Sequence, residues 1–183
     1  MDPIALLKED HEKVKDLYQR FEKARSEDSK HEIAGQIIME LKIHTRVEED
    51  VFYPRCREVD ELREMILEAV EEHNVVDYII ETLEAGKVPE EQYEAKVTVM
   101  MEAVEHHVEE EEKELFPKAK KSLDDLEALA TKILKRKEEL AAEIGTIDGG
   151  RQAIVDLAGW HGSIRQPGCD RGGASVFTSE DES

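Results

Sequence analysis

Histidine recurs on the inward edge of four successive helical patterns, and this constrains the fold of the 183-residue chain more than any other feature. From position 3 to about 143, apolar residues return at steps of three and four, the period of an α-helix with one buried stripe. In the third pattern the stripe reads Leu62, Ile66, Ala69, His73, Val76, Ile80, Leu83, so His73 takes an interior position. The second gives Ile37, Leu41, His44, Glu48, Val51, and the fourth gives Val97, Met100, Val104, His107, Glu111, Leu115. In the first, His11 lies between Leu7 and Val14.

The pattern is a weak internal duplication: a lone histidine on one helix, then His-x-x-x-Glu on the next, then both again. His73 follows His11 by 62 positions and His107 follows His44 by 63. Pro54 and Pro117 each stand ten residues after the histidine of their own motif. The flanks correspond as well, Val47-Glu48-Glu49-Asp50-Val51-Phe52-Tyr53-Pro54 against Glu110-Glu111-Glu112-Lys113-Glu114-Leu115-Phe116-Pro117. A bundle with pseudo-twofold symmetry would bring six side chains to one depth.

Two glutamates buried in an apolar bundle cost roughly several kcal/mol each unless something compensates, and a di- or trivalent cation does so. Imidazole with carboxylate suits iron, manganese or zinc, and carboxylates on facing helices can each bridge two ions. A step of four returns to within about 40° of the same helix face, while a step of five leaves it by about 140°. Glu48 and Glu111, rather than Glu49 and Glu112, are therefore the inward members of each acidic pair.

Punctuation divides the chain into an expected four-helix bundle over 1–120, an additional helix over 121–144 and a Gly/Ser-rich, mostly disordered tail over 145–183. Asp2-Pro3 caps a first helix to about Arg25, and Ser26 to Lys30 form its turn. A second helix runs to about Phe52, stopped by Pro54, and a third covers roughly Glu58 to Ala85, ended by Gly86. The fourth spans Glu90 to Phe116, ahead of Pro117. Ser122, with Asp125 in a weaker capping box, opens a fifth that ends near Glu143. Eight of the ten glycines fall from Gly145 onward, where only Ala153 to Trp160 suggests a short amphipathic turn.

Net charge bounds the partners. At -20 the chain repels phosphate, which argues against nucleic acid and anionic membrane. Met1-Asp2-Pro3-Ile4 lacks the basic start of a secretory signal, and no apolar run reaches transmembrane length, so a cytoplasmic protein is expected. Cys56 and Cys169 stand far apart, outside any paired thiolate spacing, and read as free thiols.

The combined motifs resemble the hemerythrin, or HHE cation-binding, family over essentially residues 4 to 117. The resemblance implies an up-down four-helix bundle holding two iron ions on His11, His44, Glu48, His73, His107 and Glu111. Glu48, Glu111 and an oxo or hydroxo group would bridge the ions, leaving an exchangeable position for dioxygen, peroxide or nitric oxide. Oxygen-carrying members have a fifth histidine one turn after the third-helix histidine, and here that position is Asp77. The departure turns the expectation from respiratory carriage towards iron or oxygen sensing, or a modest oxidase or peroxidase activity. No catalytic residue is assigned, and a binding or sensing role is favoured over a dedicated enzyme.

Other classes fit less well. A ferritin-like di-iron oxidase needs Glu-x-x-His, but Lys8, Leu41, Val70 and Val104 stand three before the core histidines. A zinc hydrolase needs His-Glu-x-x-His, but His11-Glu12 is followed by Lys15. A metal-free helical interaction protein would fold without cations and tolerate loss of the interior histidines. Among the remaining residues, His31, His106 and His161 read as surface or supporting positions and Met39, Met65, Met100 and Met101 as core filler. Glu109 to Glu112 read as a solvated face from which only Glu111 turns in. Asp77 is open as a supporting, solvent-facing or ligating residue, and Tyr18, Tyr53 and Tyr78 as residues near the site.

Overall fold

The computed structural model describes residues 1–147, with side chains to 143. Expectations for the later tail, including His161 and Cys169, fall outside the described residues. Helix α1 spans Pro3–Lys23. The Asp2 side chain accepts from the Ile4 amide at 3.1 Å, and Pro3, whose missing N–H costs nothing there, opens the first turn. Helix α2 spans Glu27–Val47, capped by Ser26, so the connection is shorter than the expected turn to Lys30.

Neither proline stops its helix. After α2 the chain passes through a π turn, Glu48–Phe52, into α3, Tyr53–Cys56, with Pro54 inside it. A 3-10 turn, Asp60–Leu62, leads into α4, Arg63–Glu84. Helix α5, Glu90–Glu110, repeats the device through a second π turn, Glu111–Leu115, into α6, Phe116–Ser122, which contains Pro117. At each junction the bonding ladder shifts from four residues back to five: the Tyr53 amide donates to the Glu48 carbonyl and the Phe116 amide to that of Glu111. The widened turn carries away the carbonyl a proline ring would strike in a regular helix, and the ladder changes step where proline lacks its donor.

Helix α7 begins at Leu126 and reaches Ile147. Ser122 is therefore the last residue of α6 rather than the cap of α7, and its hydroxyl donates to Glu61 at 3.0 Å. Gly86 ends the α4 turn at φ 61, a left-handed geometry open to glycine, with its amide on the Leu83 carbonyl.

Helix α1 pairs with α2 and α4 with α5, while α7 lies across α1, α2 and the first π turn. Two apolar clusters fill the interior. One gathers Leu7, Phe52, Leu62, Ile66 and Phe116 with Leu129 and Ile133 of α7. The other gathers Val14, Phe21, Ile37, Ile80 and Met100. Each such side chain, buried fully, contributes about 1.5–3 kcal/mol. Met100 and Met101 belong to the second cluster and Met65 borders the first, but Met39 is at the surface, on the outer side of α2. Between the clusters runs one polar layer: Leu7 and Ala69 lie in the first, Val14 and Val76 in the second, and His11 and His73 in between.

Candidate metal centre

All six side chains expected at the centre meet in that layer. His11, His44, Glu48, His73, His107 and Glu111 are each no more than 6% exposed, and they are the buried polar or charged residues of the described chain. Helical spacing puts them there. His44 and Glu48 leave one face of α2 a turn apart, and His107 and Glu111 do the same from α5. Each π turn begins at the glutamate itself, so the four-residue step from histidine to carboxylate is still that of the preceding α-helix.

The inward nitrogens converge in pairs. Nε2 of His11 lies 3.1 Å from Nε2 of His44, and Nε2 of His73 lies 3.1 Å from that of His107. Each carboxylate spans both halves of the bundle. Glu48 Oε2 is 3.2 Å from His44 Nε2 and 3.5 Å from His73 Nε2. Glu111 Oε2 is 3.4 Å from His11 Nε2 and 3.6 Å from His107 Nε2. Donor atoms of His11, His44, Glu48 and Glu111 lie within 4.8 Å of one another, as do those of Glu48, His73 and His107, so Glu48 belongs to both groups.

Protons alone serve this cluster poorly. Glu48 Oε1 and Glu111 Oε2 are buried without a hydrogen-bond partner, a state that costs about 1–3 kcal/mol per group. Burial and the charge of Glu111 push Glu48 well above the ordinary carboxylate range. Burial opposes the charge of Glu111 too, but the contact with His11 and the charges of His107 and His11 prevail and hold it at about 2. Burial pulls His44 down to about 4. For His11 and His107, burial is outweighed by carboxylate partners, Glu111 and Glu72 respectively, and both are raised. Two carboxylates, four imidazoles and two orphaned oxygens form a donor set that fits cations better than any sharing of protons.

Sequence reasoning missed the outer carboxylates. Every outward Nδ1 has one: His11 with Glu112 at 2.9 Å, His44 with Asp10 at 3.2 Å, His73 with Glu49 at 3.0 Å, and His107 with Glu72 at 2.8 Å. Such partners fix the tautomer, leaving Nε2 free to face a cation. Glu49 and Glu112 are thus half-buried rather than part of a purely solvated face: each crosses to a histidine of the other half. A signal was available, because Asp10 and Glu72 are 62 apart, like His11 and His73, and Glu49 and Glu112 are 63 apart, like His44 and His107.

Of the three tyrosines, Tyr53 reaches the centre. Its hydroxyl donates to Glu111 Oε1 at 2.9 Å, and its ring stacks on His73 with centroids 5.5 Å apart. Tyr18 stacks on Phe21 in the far cluster, and Tyr78 is exposed. Asp77 lies on the solvent side of α4, outside both donor groups, where partial desolvation and the charge of Glu49 raise it. His31 is a surface residue stacked on Tyr93, and His106 is exposed between Glu72 and Glu110. Burial pushes the Cys56 thiol up to about 12, making it an unreactive core residue.

A cavity of about 400 Å³ opens onto all four imidazoles. Val14, Leu41, Val76, Met101 and Val104 give it a largely apolar wall. Among the described residues no helix is long and apolar enough to cross a membrane.

Comparison with known proteins agrees with the geometry. Residues 2–119 match the hemerythrin HHE cation binding domain. A hemerythrin HHE cation binding domain-containing protein from Mycobacterium kansasii, solved by crystallography, is similar with a TM-score of 0.71 and 28% identity, covering 85% of this chain and 98% of that one. A hemerythrin-like protein of Schizosaccharomyces pombe is 28% identical over 66% of this chain, and a Nostoc protein named DNA nickase is 25% identical over 76% of it. The chain spans 60% and 40% of the lengths of these two curated relatives. With the helical order, the buried histidine and glutamate cluster and the family match all in agreement, this chain belongs to the hemerythrin HHE cation-binding family.

Proposed function

We propose that the chain binds two iron ions on His11, His44, Glu48, His73, His107 and Glu111, with Glu48 and Glu111 bridging them. It would bind or sense dioxygen, peroxide or nitric oxide there, in the cytoplasm. The observation that carries this reading is the placement of the two carboxylates: each is buried, keeps one oxygen without a hydrogen bond, and touches one histidine from each half of the bundle.

A pair of iron ions would supply redox capacity and open coordination for a small ligand. The chain's own residues supply the rest. The four outer carboxylates orient the imidazoles, and the apolar wall of the 400 Å³ cavity admits a small neutral molecule to the Nε2 edges. Tyr53 holds an O–H at one carboxylate, where it can donate to Glu111 or to a ligand beside it. At -20 the chain repels polyanions, which favours a small-molecule ligand over nucleic acid.

Metal analysis of protein purified from iron-replete cells, with an absorption spectrum, tests the reading. Two irons per chain with near-ultraviolet ferric absorption are expected. Stoichiometric zinc without iron would redirect it, and a metal-free protein that folds normally and tolerates loss of His44 and His107 would point instead to a helical interaction protein.

A further inference from the structure

The duplication that builds the centre is broken on its outer flank. Ile43, Val47 and Val51 pack in the cluster that includes Leu129, Ala130 and Ile133 of α7. Their counterparts 63 positions on are His106, Glu110 and Glu114, and no described helix covers them as α7 covers the first three. The supporting carboxylates diverge in the same sense. Asp10, behind His44, is neutralised by Lys137 of α7 at 2.5 Å. Its counterpart Glu72, behind His107, faces His106 instead, with Oε1 3.5 Å from His106 Nε2.

The uncovered flank gathers a second His-x-x-x-Glu pair, one residue out of step with the inner one. His106 Nε2 is 3.4 Å from Glu110 Oε1, and with Glu72 these residues form a three-donor group at the surface. Beside it lies a cavity of about 100 Å³ lined by Glu68, Glu72, Glu110 and Glu114 and, within, by His107 and Glu111. Glu111, 2% exposed, lines this cavity and carries one of the two buried carboxylate oxygens without a partner. A surface donor group thus adjoins a passage that ends on an unsatisfied buried carboxylate.

We propose that Glu72, His106 and Glu110 form an outer site for a divalent cation, and that this flank is the port through which ions reach the centre. The role of port rests on the di-metal reading above; the outer site does not. One imidazole with two carboxylates suits ferrous, manganous or zinc ions, and the acidic rim concentrates cations at the mouth. The port opens between α4 and α5, apart from the larger cavity that Val14, Leu41, Val76, Met101 and Val104 help to line. Glu72 links the two sites, one oxygen on His106 and the other 2.8 Å from His107 Nδ1.

The test compares the wild-type chain, H106A/E110Q and E91Q, an exposed charge control on another part of α5. Metal-free protein is mixed anaerobically with ferrous iron, and the inner centre is followed by its near-ultraviolet absorption after air is admitted at set times. Manganous ion binding is counted separately by paramagnetic resonance of the free ion. In H106A/E110Q, inner loading is expected to slow roughly tenfold with the same final spectrum and two inner ions, while one weakly bound manganous ion per chain is lost. E91Q should match wild type in both. Equal loading rates in all three proteins would overturn the port, and an unchanged manganous count would overturn the outer site. If the wild-type chain forms no inner iron centre but still loses one manganous ion on H106A/E110Q substitution, the di-iron reading and the port fall and the outer site stands.

Discussion

The Tyr53 hydroxyl donates to Glu111 at 2.9 Å, and the duplication gives that hydroxyl no counterpart. The position 63 residues later is Phe116, whose ring stacks on His11, 5.8 Å between centroids, much as Tyr53 stacks on His73. At the level of the stacked rings, one oxygen atom therefore distinguishes the two ends of the centre. Y53F leaves the ring and removes the donor to a buried carboxylate that is ionised at neutral pH. The metal-free protein should lose about 1.5–3 kcal/mol of stability, read by urea unfolding. Stability equal to wild type would show that the hydroxyl is not coupled to Glu111.

Glu48 separates stability from metal binding. Burial and Glu111 push its carboxyl well above its ordinary range, so an ionised Glu48 is costly without a cation. E48Q keeps the shape and removes the charge. In the metal-free state it should melt at or above the wild-type temperature, yet it should retain at most one iron per chain. An E48Q protein that still holds two irons would remove Glu48 from the bridging role.

The outer carboxylates cross between halves, Glu112 supporting His11 and Glu49 supporting His73. E112Q and E49Q each should weaken metal binding by about 10–100-fold with little change in helix content, because they loosen the orientation of an imidazole without removing a ligand. Competition with a chelator of known affinity measures the loss. Wild-type affinity in both variants would mean that these contacts do not orient the rings.

His44 gives a pH dependence with a definite sign. Its pKa falls from 6.5 to about 4 because the buried ring resists charging. As pH drops, the unfolded chain takes up this proton before the folded one does, so the stabilising contribution is whole above 6.5 and is lost on approach to 4. His11 and His107, whose values are raised, act in the opposite sense: their contribution is present below 6.5 and is lost as pH rises through their folded values. Nitrogen-15 NMR of metal-free protein should show His44 titrating last on acidification. In the loaded protein, metal should leave as pH falls through the histidine range, since coordination needs neutral rings. A His44 titration at the value of a free imidazole would refute the assignment of its environment.

Much of this was legible in the chain because one periodicity governs both burial and the placement of the candidate ligands. A histidine at a seam position of a 3.6-residue repeat must face inward, so His11, His44, His73 and His107 could be placed together, and the four-residue step fixed Glu48 and Glu111. The prolines misled. Pro54 and Pro117 read as helix ends, yet each is the second residue of a helical segment that continues past a π turn, because that turn removes the clash on which the expectation rests. Nothing in hydrophobic spacing announces such a turn. Asp10, Glu49, Glu72 and Glu112 escaped for another reason: they lie off the seam, where a charged residue normally means only solvent, and what marked them was their repetition at the offsets of the ligands. Ser122 looked like a cap because its spacing to Asp125 is right, but it is the last residue of α6.

Helix α7 starts at Leu126, beyond the family match that ends at 119, yet its Leu129, Ala130 and Ile133 complete the cluster that contains Leu6, Val47 and Phe52. The packed cluster therefore extends past the stretch that the family match covers. A fragment trimmed to the family boundary would keep all six candidate ligands and uncover an apolar strip along two of its helices, a surface expected to promote self-association; the stretch that looks like an appendage is the cover of that half of the bundle.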